Sequence, residues 1–325
     1  MDQATTRPAQ ANNCTNPSVL VLLPLSEAQR ARLEKAAPGA TFTFTDYDPT
    51  PEQVAAADVI VGNLAPARLG EARHLRLLQL NSAGYDNYVS AALPEGAVLA
   101  SASGAYGQAV SEHMLAMVLA MLKCLPAYRD SQRAHDWTDH GPVTSLAGAQ
   151  VFVLGTGDIG GHFARLATAL GAHVTGFRRH AGEAPEGFEA VRTMDELPGL
   201  LAAADVVASF LPSTPATRGL VNRKFLAAMR LGSYLANGGR GDLVVTEDLV
   251  AALESGHLAG AALDVTSPEP LPTDSPLWDA PGALVTPHVS GGFHLPVVLD
   301  NICDIAVENL RRLAAGEEPR NLVRR

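Results

Sequence analysis

Three segments in the second half of the chain carry side chains suited to polar catalysis. They are Asn237-Gly238-Gly239-Arg240-Gly241, Asp264-Val265-Thr266-Ser267-Pro268-Glu269-Pro270-Leu271-Pro272, and Thr286-Pro287-His288-Val289-Ser290-Gly291-Gly292. Singly each has an ordinary reading: Arg240 pairs with a surface acid, Glu269 is a solvated loop carboxylate, and His288 is a hydrogen-bonded structural residue. Together they supply a permanent cation, a carboxylate and an imidazole, each just after a short apolar stretch that reads as a strand. An open α/β sheet places its ligands at such strand ends.

Upstream, Val151-Phe152-Val153-Leu154 runs directly into Gly155-Thr156-Gly157-Asp158-Ile159-Gly160, a Gly-x-Gly-x-x-Gly loop following a strand. In this pattern the first glycine permits a tight turn, the second lets the backbone approach a pyrophosphate, and the third lets the next helix lie close on the strand. The anion would rest on free amides at a positive helix end. Residues 161–170 read as that helix, with Phe163, Leu166, Ala167 and Leu170 on one face, and residues 172–177 as a second strand. The pattern predicts a dinucleotide site in preference to an ordinary glycine turn. About 20 residues past the loop, a cofactor without a 2′-phosphate meets a carboxylate that accepts from both ribose hydroxyls. Arg178, Arg179 and His180 stand there instead. The bland reading is a solvated pair, but guanidinium groups bind a phosphate through charge-assisted, often bidentate bonds. NADP(H) is therefore the expected cofactor, with NAD(H) as the alternative.

These residues need a scaffold. Residues 19–23, 41–45, 58–61, 77–81 and 98–101 read as short buried strands alternating with helical segments, which predicts a parallel sheet covered on both faces. A second alternating series runs through 151–154, 174–177, 206–210, 233–236, 261–264 and 284–286. Two doubly wound domains are expected. Ser26-Glu27-Ala28-Gln29 is a capping signal in which Ser26 caps the amide of Gln29. Between the two series, residues 105–129 read as one long helix that is apolar nearly all round, with Met114, Leu115, Met117, Val118, Leu119, Met121 and Leu122. It serves either as a core helix or as a link that also supplies a dimer surface. A last helix over about 295–315 returns to the first domain, leaving a cleft between the lobes.

Composition narrows the class. A chain of 325 residues can bury two cores, and a net charge of −10 lacks the broad basic footprint that nucleic-acid binding requires. No apolar run reaches the ~18 residues of a membrane span, and residues 1–17 read as a loose tail without the features of a signal peptide. Cys14, Cys124 and Cys303 are odd in number and far apart, as reduced thiols of a cytoplasmic protein would be. No His/Cys/Asp cluster calls for a metal.

The order of these motifs resembles the D-isomer-specific 2-hydroxyacid dehydrogenases, a family that includes glyoxylate/hydroxypyruvate reductases and phosphoglycerate dehydrogenases. The resemblance spans residues 19–323 and rests on Asn81-Ser82-Ala83-Gly84-Tyr85-Asp86, the glycine loop, Leu211-Pro212-Ser213-Thr214-Pro215-Ala216-Thr217-Arg218-Gly219, and the three segments above. It implies a flavodoxin-like substrate domain (18–104 and 293–325), a Rossmann NAD(P)-binding domain (105–292), a flexible tail (1–17) and a cleft between the domains. It also implies reduction of a small 2-oxo acid by hydride from the nicotinamide, in a homodimer formed through the nucleotide-binding domain. His288 would be the general acid/base, since imidazole gives and takes protons near neutral pH. Glu269 would hold the ring and favour its protonated form. Arg240 would bind the substrate carboxylate and polarise its carbonyl.

By the same resemblance the Ala83-Gly84 turn offers amides to the substrate carboxylate. Asp158 and Ile159 present amides to the pyrophosphate, beside Gly155, Gly157, Gly160, Gly238 and Gly239. Leu211, Pro212 and Thr217 line the adenosine side, and Asp264 holds the nicotinamide carboxamide. Trp137 lies in a segment resembling an arm that crosses the dimer in some members, with core packing as the equal alternative. His294 follows the motif, either facing solvent at a helix start, the preferred reading, or lining the pocket, and His113, His135, His140, His162, His173 and His257 match no family role. Alternatives to a 2-oxo acid reductase are a phosphite-type dehydrogenase and a dinucleotide-sensing co-repressor-like protein. Glu269 argues against a formate enzyme, which resembles a Gln-His pair at that place.

Overall fold

A computed structural model describes residues 16–180 and 182–324. Most of the expected 1–17 tail, including Cys14, lies outside the described residues. The chain forms two compact units that divide between Ala105 and Tyr106 and between Leu295 and Pro296.

In the first unit β1 (Ser18–Val21), α1 (Glu27–Ala36), β2 (Thr41–Phe44), α2 (Pro51–Ala56), β3 (Val59–Val61), β4 (Leu77–Gln79) and β5 (Val98–Ala100) alternate along the chain. The strands form a five-stranded parallel sheet in the order β2-β1-β3-β4-β5, which is the flavodoxin-like order. Leu20, Ile60 and Leu78 are fully buried in its core, each contributing roughly 1.5–3 kcal/mol. The capping box at α1 forms in full: Ser26 Oγ accepts from the Gln29 amide at 3.3 Å, and Gln29 Oε1 accepts from the Ser26 amide at 2.9 Å. The terminal helix Pro296–Ala315 packs on α1 within this unit, and Gln29 Nε2 donates to Asp300 at 2.9 Å.

The second unit begins with α3 (Gly107–Leu122) and α4 (Leu125–Ala134) and continues through β6 (Gln150–Leu154), α5 (Asp158–Ala169), β7 (His173–Arg178) and β8 (Ala190–Thr193). Then follow α6 (Leu197–Leu200), β9 (Val206–Ser209), α7 (Arg223–Ala228), β10 (Ser233–Asn237), α8 (Thr246–Glu254), β11 (Leu258–Leu263) and β12 (Ala283–Val285). Its seven strands are parallel, in the order β12-β11-β10-β9-β6-β7-β8. Counted from β6, this is the Rossmann arrangement with an added strand. The order reverses between β6 and β9, which pair directly, and a crevice at that switch point is where such sheets bind ligands.

Three expectations change. The single helix over 105–129 is two helices, because Cys124 takes a left-handed backbone (φ 53°) and the axes turn by 67°. Pro126 is the reason: its ring clashes with the carbonyl of Leu122 and it has no N–H to donate. Leu170 does not face the core. It is 44% exposed at the end of α5, whose buried stripe is Gly160, Phe163, Ala164 and Ala167. Strand β8 was not expected, since this edge strand has no fully buried residue and therefore little apolar signal. No single helix among the described residues is long and apolar enough to cross a membrane.

Candidate functional site

The glycine loop occupies the switch point, and its three glycines differ in what they do. Gly155 turns the chain out of β6 with φ +95°, and a Cβ there would stand 3.3 Å from the Phe210 carbonyl oxygen. Gly160 brings α5 onto the turn so closely that a Cβ would lie 1.9 Å from Gly155 O. Gly157 is different: a Cβ there meets nothing within 4 Å. It is the N-cap of α5 and no side chain caps the helix. The first-turn amides, including those of Asp158 and Ile159, have no intrahelical acceptor, so the bare turn suits an anion such as a pyrophosphate. The Asp158 carboxylate turns to His162, Oδ1 lying 3.3 Å from Nδ1.

At the end of β7, Arg178 is half-buried and its Nη2 donates to the Glu183 carbonyl at 3.1 Å, while Arg179 and His180 are exposed. The Arg178 Nε–H is buried and has no partner among the described residues. After β9, the loop carrying Leu211, Pro212 and Thr217 is tied together by Thr217 Oγ1. This hydroxyl donates to the Pro212 carbonyl at 2.7 Å and accepts from the Thr214 amide at 2.8 Å.

Three further strand ends bring the polar segments together. After β10, the buried Asn237 organises the Gly238-Gly239-Arg240 turn: its Oδ1 accepts from the Gly239 amide at 3.2 Å and its Nδ2 donates to the Arg240 carbonyl at 2.9 Å. Arg240 Nη1 donates to the Gly239 carbonyl at 2.8 Å. Gly241 then passes against the Thr266 backbone, where a Cβ would overlap Thr266 O at 1.8 Å. This contact seats the Arg240 turn beside the loop after β11. In that loop the Glu269 carboxylate is engaged at both oxygens. Oε1 accepts from the Thr266 amide at 3.1 Å and Oε2 lies 2.8 Å from His288 Nδ1. A carboxylate only accepts, so Nδ1 carries the hydrogen and Nε2 is the nitrogen left to exchange protons. The His288 side chain is 49% exposed.

His288 itself adopts a left-handed backbone (φ 52°), a conformation that a non-glycine residue keeps only where its surroundings hold it. Those surroundings centre on Asp264, which is 1% exposed. Its carbonyl accepts from the His288 amide at 2.7 Å. Its carboxylate accepts from Thr286 Oγ1 at 2.6 Å, from the Val289 amide at 3.0 Å, from the Ser290 amide at 3.1 Å and from Ser290 Oγ. Burial opposes the charge on Asp264, but the bonds from Ser290, Thr286 and Val289 outweigh it and hold the carboxyl below its ordinary pKa. His113, on α3, reaches the same cluster, its Nε2 lying 3.0 Å from Thr286 Oγ1. Thr286 and Ser290 lie in the segment nominated from sequence but had no role of their own there, and His113 matched no family role. Nothing local marks His113, which meets Thr286 across 173 residues of sequence.

Ala83 and Gly84 belong to the first unit, in the bend after β4, where Ser82 Oγ donates to the Gly84 carbonyl at 2.6 Å. Trp137 is fully exposed, not packed in a core, and His294 is exposed. Among the described residues no three His, Cys, Asp or Glu side chains form a metal-type cluster.

The sequence profile of the NAD-binding domain of D-isomer specific 2-hydroxyacid dehydrogenases matches residues 115–290, more than half of the chain. The chain belongs to this family. It is an NAD(P)-dependent D-2-hydroxyacid dehydrogenase. Among curated relatives it is 33% identical to glyoxylate/hydroxypyruvate reductase B of Pectobacterium carotovorum, across 94% of this chain and 98% of that protein. A family protein from Aeromonas salmonicida superposes with a TM-score of 0.84 at 31% identity, covering 95% of this chain and 99% of that one. The NADPH-dependent glyoxylate/hydroxypyruvate reductase of Sinorhizobium meliloti, solved with NADP and sulfate, superposes with a TM-score of 0.80 at 27% identity, covering 94% and 98%.

Proposed function

We propose that this dehydrogenase prefers NADP(H) and interconverts a small 2-oxo acid of the glyoxylate/hydroxypyruvate type with the D-2-hydroxy acid, His288 acting as the acid/base. The His288 Nδ1 to Glu269 Oε2 pairing at 2.8 Å carries this reading. It fixes the imidazole at one nitrogen and leaves Nε2 to deliver a proton to the carbonyl oxygen during reduction, or to remove it from the hydroxyl during oxidation. Arg240 binds the carboxylate and polarises the carbonyl.

The bound nicotinamide supplies or accepts the hydride. Gly155, Gly157 and Gly160, the Asp158 and Ile159 amides, Gly238 and Gly239 would hold the cofactor. Leu211, Pro212 and Thr217 would line its adenosine side, while the Asp264 carboxylate, 1% exposed and accepting from Thr286, Val289 and Ser290, would stand behind the carboxamide and not accept from it. The open space at Gly157 and the uncapped start of α5 fit a pyrophosphate, and Arg178 and Arg179 suit a 2′-phosphate. The Sinorhizobium reductase, bound to NADP, supports this preference by analogy. We also place the enzyme in the cytoplasm, consistent with free Cys124 and Cys303. A homodimer through the nucleotide-binding unit is supported by α4, which buries no residue, and by exposed Leu125, Trp137 and Val143.

The deciding experiment is a panel of small 2-oxo acids assayed with NADPH and with NADH, alongside His288→Gln. Wild-type protein should turn over at least one acid with higher kcat/KM for NADPH, and His288→Gln should lower kcat by roughly 10²- to 10⁴-fold. Tight NADPH binding with no turnover of any acid would instead indicate a dinucleotide sensor.

A further inference from the structure

We propose that His113 and Thr286 are positioning residues: they orient the Asp264 carboxylate, and through it the His288 segment, in the arrangement that sets His288 against Glu269. The proposal rests on the assignment of His288 as acid/base. The direction of each hydrogen bond follows from chemistry. The Asp264 carboxylate accepts, so the single Thr286 hydroxyl hydrogen must point to Asp264 Oδ1 at 2.6 Å. Thr286 Oγ1 can then only accept from His113, which places a hydrogen on Nε2 at 3.0 Å. His113 Nε2 is 3.7 Å from Asp264 Oδ1, too far for a direct hydrogen bond. The hydrogen-bonded route from His113 to Asp264 therefore runs through Thr286.

What the relay holds is specific. An ionised carboxylate offers about four acceptor positions. At Asp264 they are taken by the Thr286 hydroxyl, the Val289 amide, and the Ser290 amide and hydroxyl. Two of these donors are the backbone groups that immediately follow His288. With Asp264 1% exposed, no bulk water can replace a lost donor. If Thr286 stops donating, the carboxylate rotates or draws on its other partners. The left-handed backbone at His288 then loses what fixes it. His113 sets the Thr286 rotor from a different element, since α3 packs on β10 and β11, so the acid/base segment is braced by the helix beneath the sheet edge.

The test compares Thr286→Val, Thr286→Ser, His113→Leu, His113→Gln, the Thr286→Val/His113→Leu double variant and His288→Gln. The assay uses NADPH and the best 2-oxo acid of the panel, with cofactor binding read by NADPH fluorescence and folding by Tm. We expect Thr286→Val to lower kcat roughly 10- to 100-fold while the NADPH Kd stays within about threefold. Thr286→Ser, which keeps the hydroxyl, should recover most of kcat. The double variant should be no worse than Thr286→Val, because His113 acts through the hydroxyl already removed.

A Thr286→Val enzyme with kcat within about twofold of wild type, or a Thr286→Ser enzyme as impaired as Thr286→Val, overturns the proposal. If Thr286→Val does not fold, the His113 pair decides: loss in His113→Leu with recovery in His113→Gln supports the relay, and full kcat in His113→Leu refutes it. His288→Gln separates the two levels. Full activity there removes the acid/base assignment and this proposal with it. A crippled His288→Gln beside an intact Thr286→Val removes only the relay.

Discussion

Two substitutions in the glycine loop separate packing from cofactor binding. In Gly160→Ala the new methyl carbon would sit 1.9 Å from Gly155 O, against an ordinary contact of at least 3.4 Å. A Cβ is fixed rigidly to its own backbone and the atom it meets is a backbone oxygen of the same strand-turn-helix unit, so no flexible side chain can swing aside. The start of α5 must retreat by roughly 1.5 Å in a close-packed interior. Overpacking of this kind costs about 1–3 kcal/mol, offset by about 0.4–1 kcal/mol from the stiffer unfolded chain. A net loss of about 1–2 kcal/mol lowers Tm by roughly 2–8 °C for a domain of this size.

Gly157→Ala should behave differently. Its backbone (φ −76°, ψ −159°) is ordinary extended geometry and its Cβ has open space, so the apo protein should keep its Tm or gain slightly. A pyrophosphate resting on this turn would meet the methyl group, and the NADPH Kd should rise about 10- to 100-fold, equivalent to about 1.4–2.8 kcal/mol. Scanning calorimetry of the apo proteins and NADPH fluorescence titration read the two effects separately. An unchanged Tm in Gly160→Ala would refute the packing argument. Wild-type NADPH affinity in Gly157→Ala would show that no pyrophosphate approaches this turn.

Three further outcomes are expected. Replacing Arg178 and Arg179 with serine should lower kcat/KM for NADPH by about 10- to 1,000-fold, from roughly 1.5–3 kcal/mol per charged hydrogen bond, and leave NADH nearly unaffected; an unchanged ratio defeats the proposed preference. Asp264 has a depressed folded pKa, so its charge stabilises the fold above the unfolded value of about 3.9 and that contribution is lost as pH falls toward the folded pKa. The Tm advantage of wild type over Asp264→Asn should therefore be largest near neutral pH and shrink below about pH 4, and a gap that widens in acid contradicts this. Burial pushes the Cys303 thiol up to about 11, with Arg32 opposing the rise. Iodoacetamide at pH 8 should thus leave the Cys303 peptide unmodified until the protein is denatured, while half-buried Cys124 reacts first; equal native reactivity of the two thiols would contradict the burial.

Much of this protein was legible because its signals are local. A capping box, a glycine turn between an apolar strand and a helix, and runs of buried β-branched residues each act within a few positions of sequence. Ser26 with Gln29, and Gly155 with Gly160, therefore take the geometry their spacing implies. Signals that are weak or masked locally misled the reading. Strand β8 lies half-exposed at a sheet edge, and Pro126 opens a second, largely polar helix where one helix was expected to continue to residue 129.

Residue types at strand ends sufficed to nominate Arg240, Glu269 and His288, because parallel α/β sheets gather their loops at the carboxyl edge. Which atoms face one another was decided only by tertiary structure. The order β12-β11-β10 sets three loops side by side, so that Gly241 wedges on Thr266 and Glu269 takes His288 Nδ1. The same packing brings His113 from a distant helix onto Thr286. Such contacts depend on strand order and helix placement, which are sums over the whole core, and no window of neighbouring residues contains them.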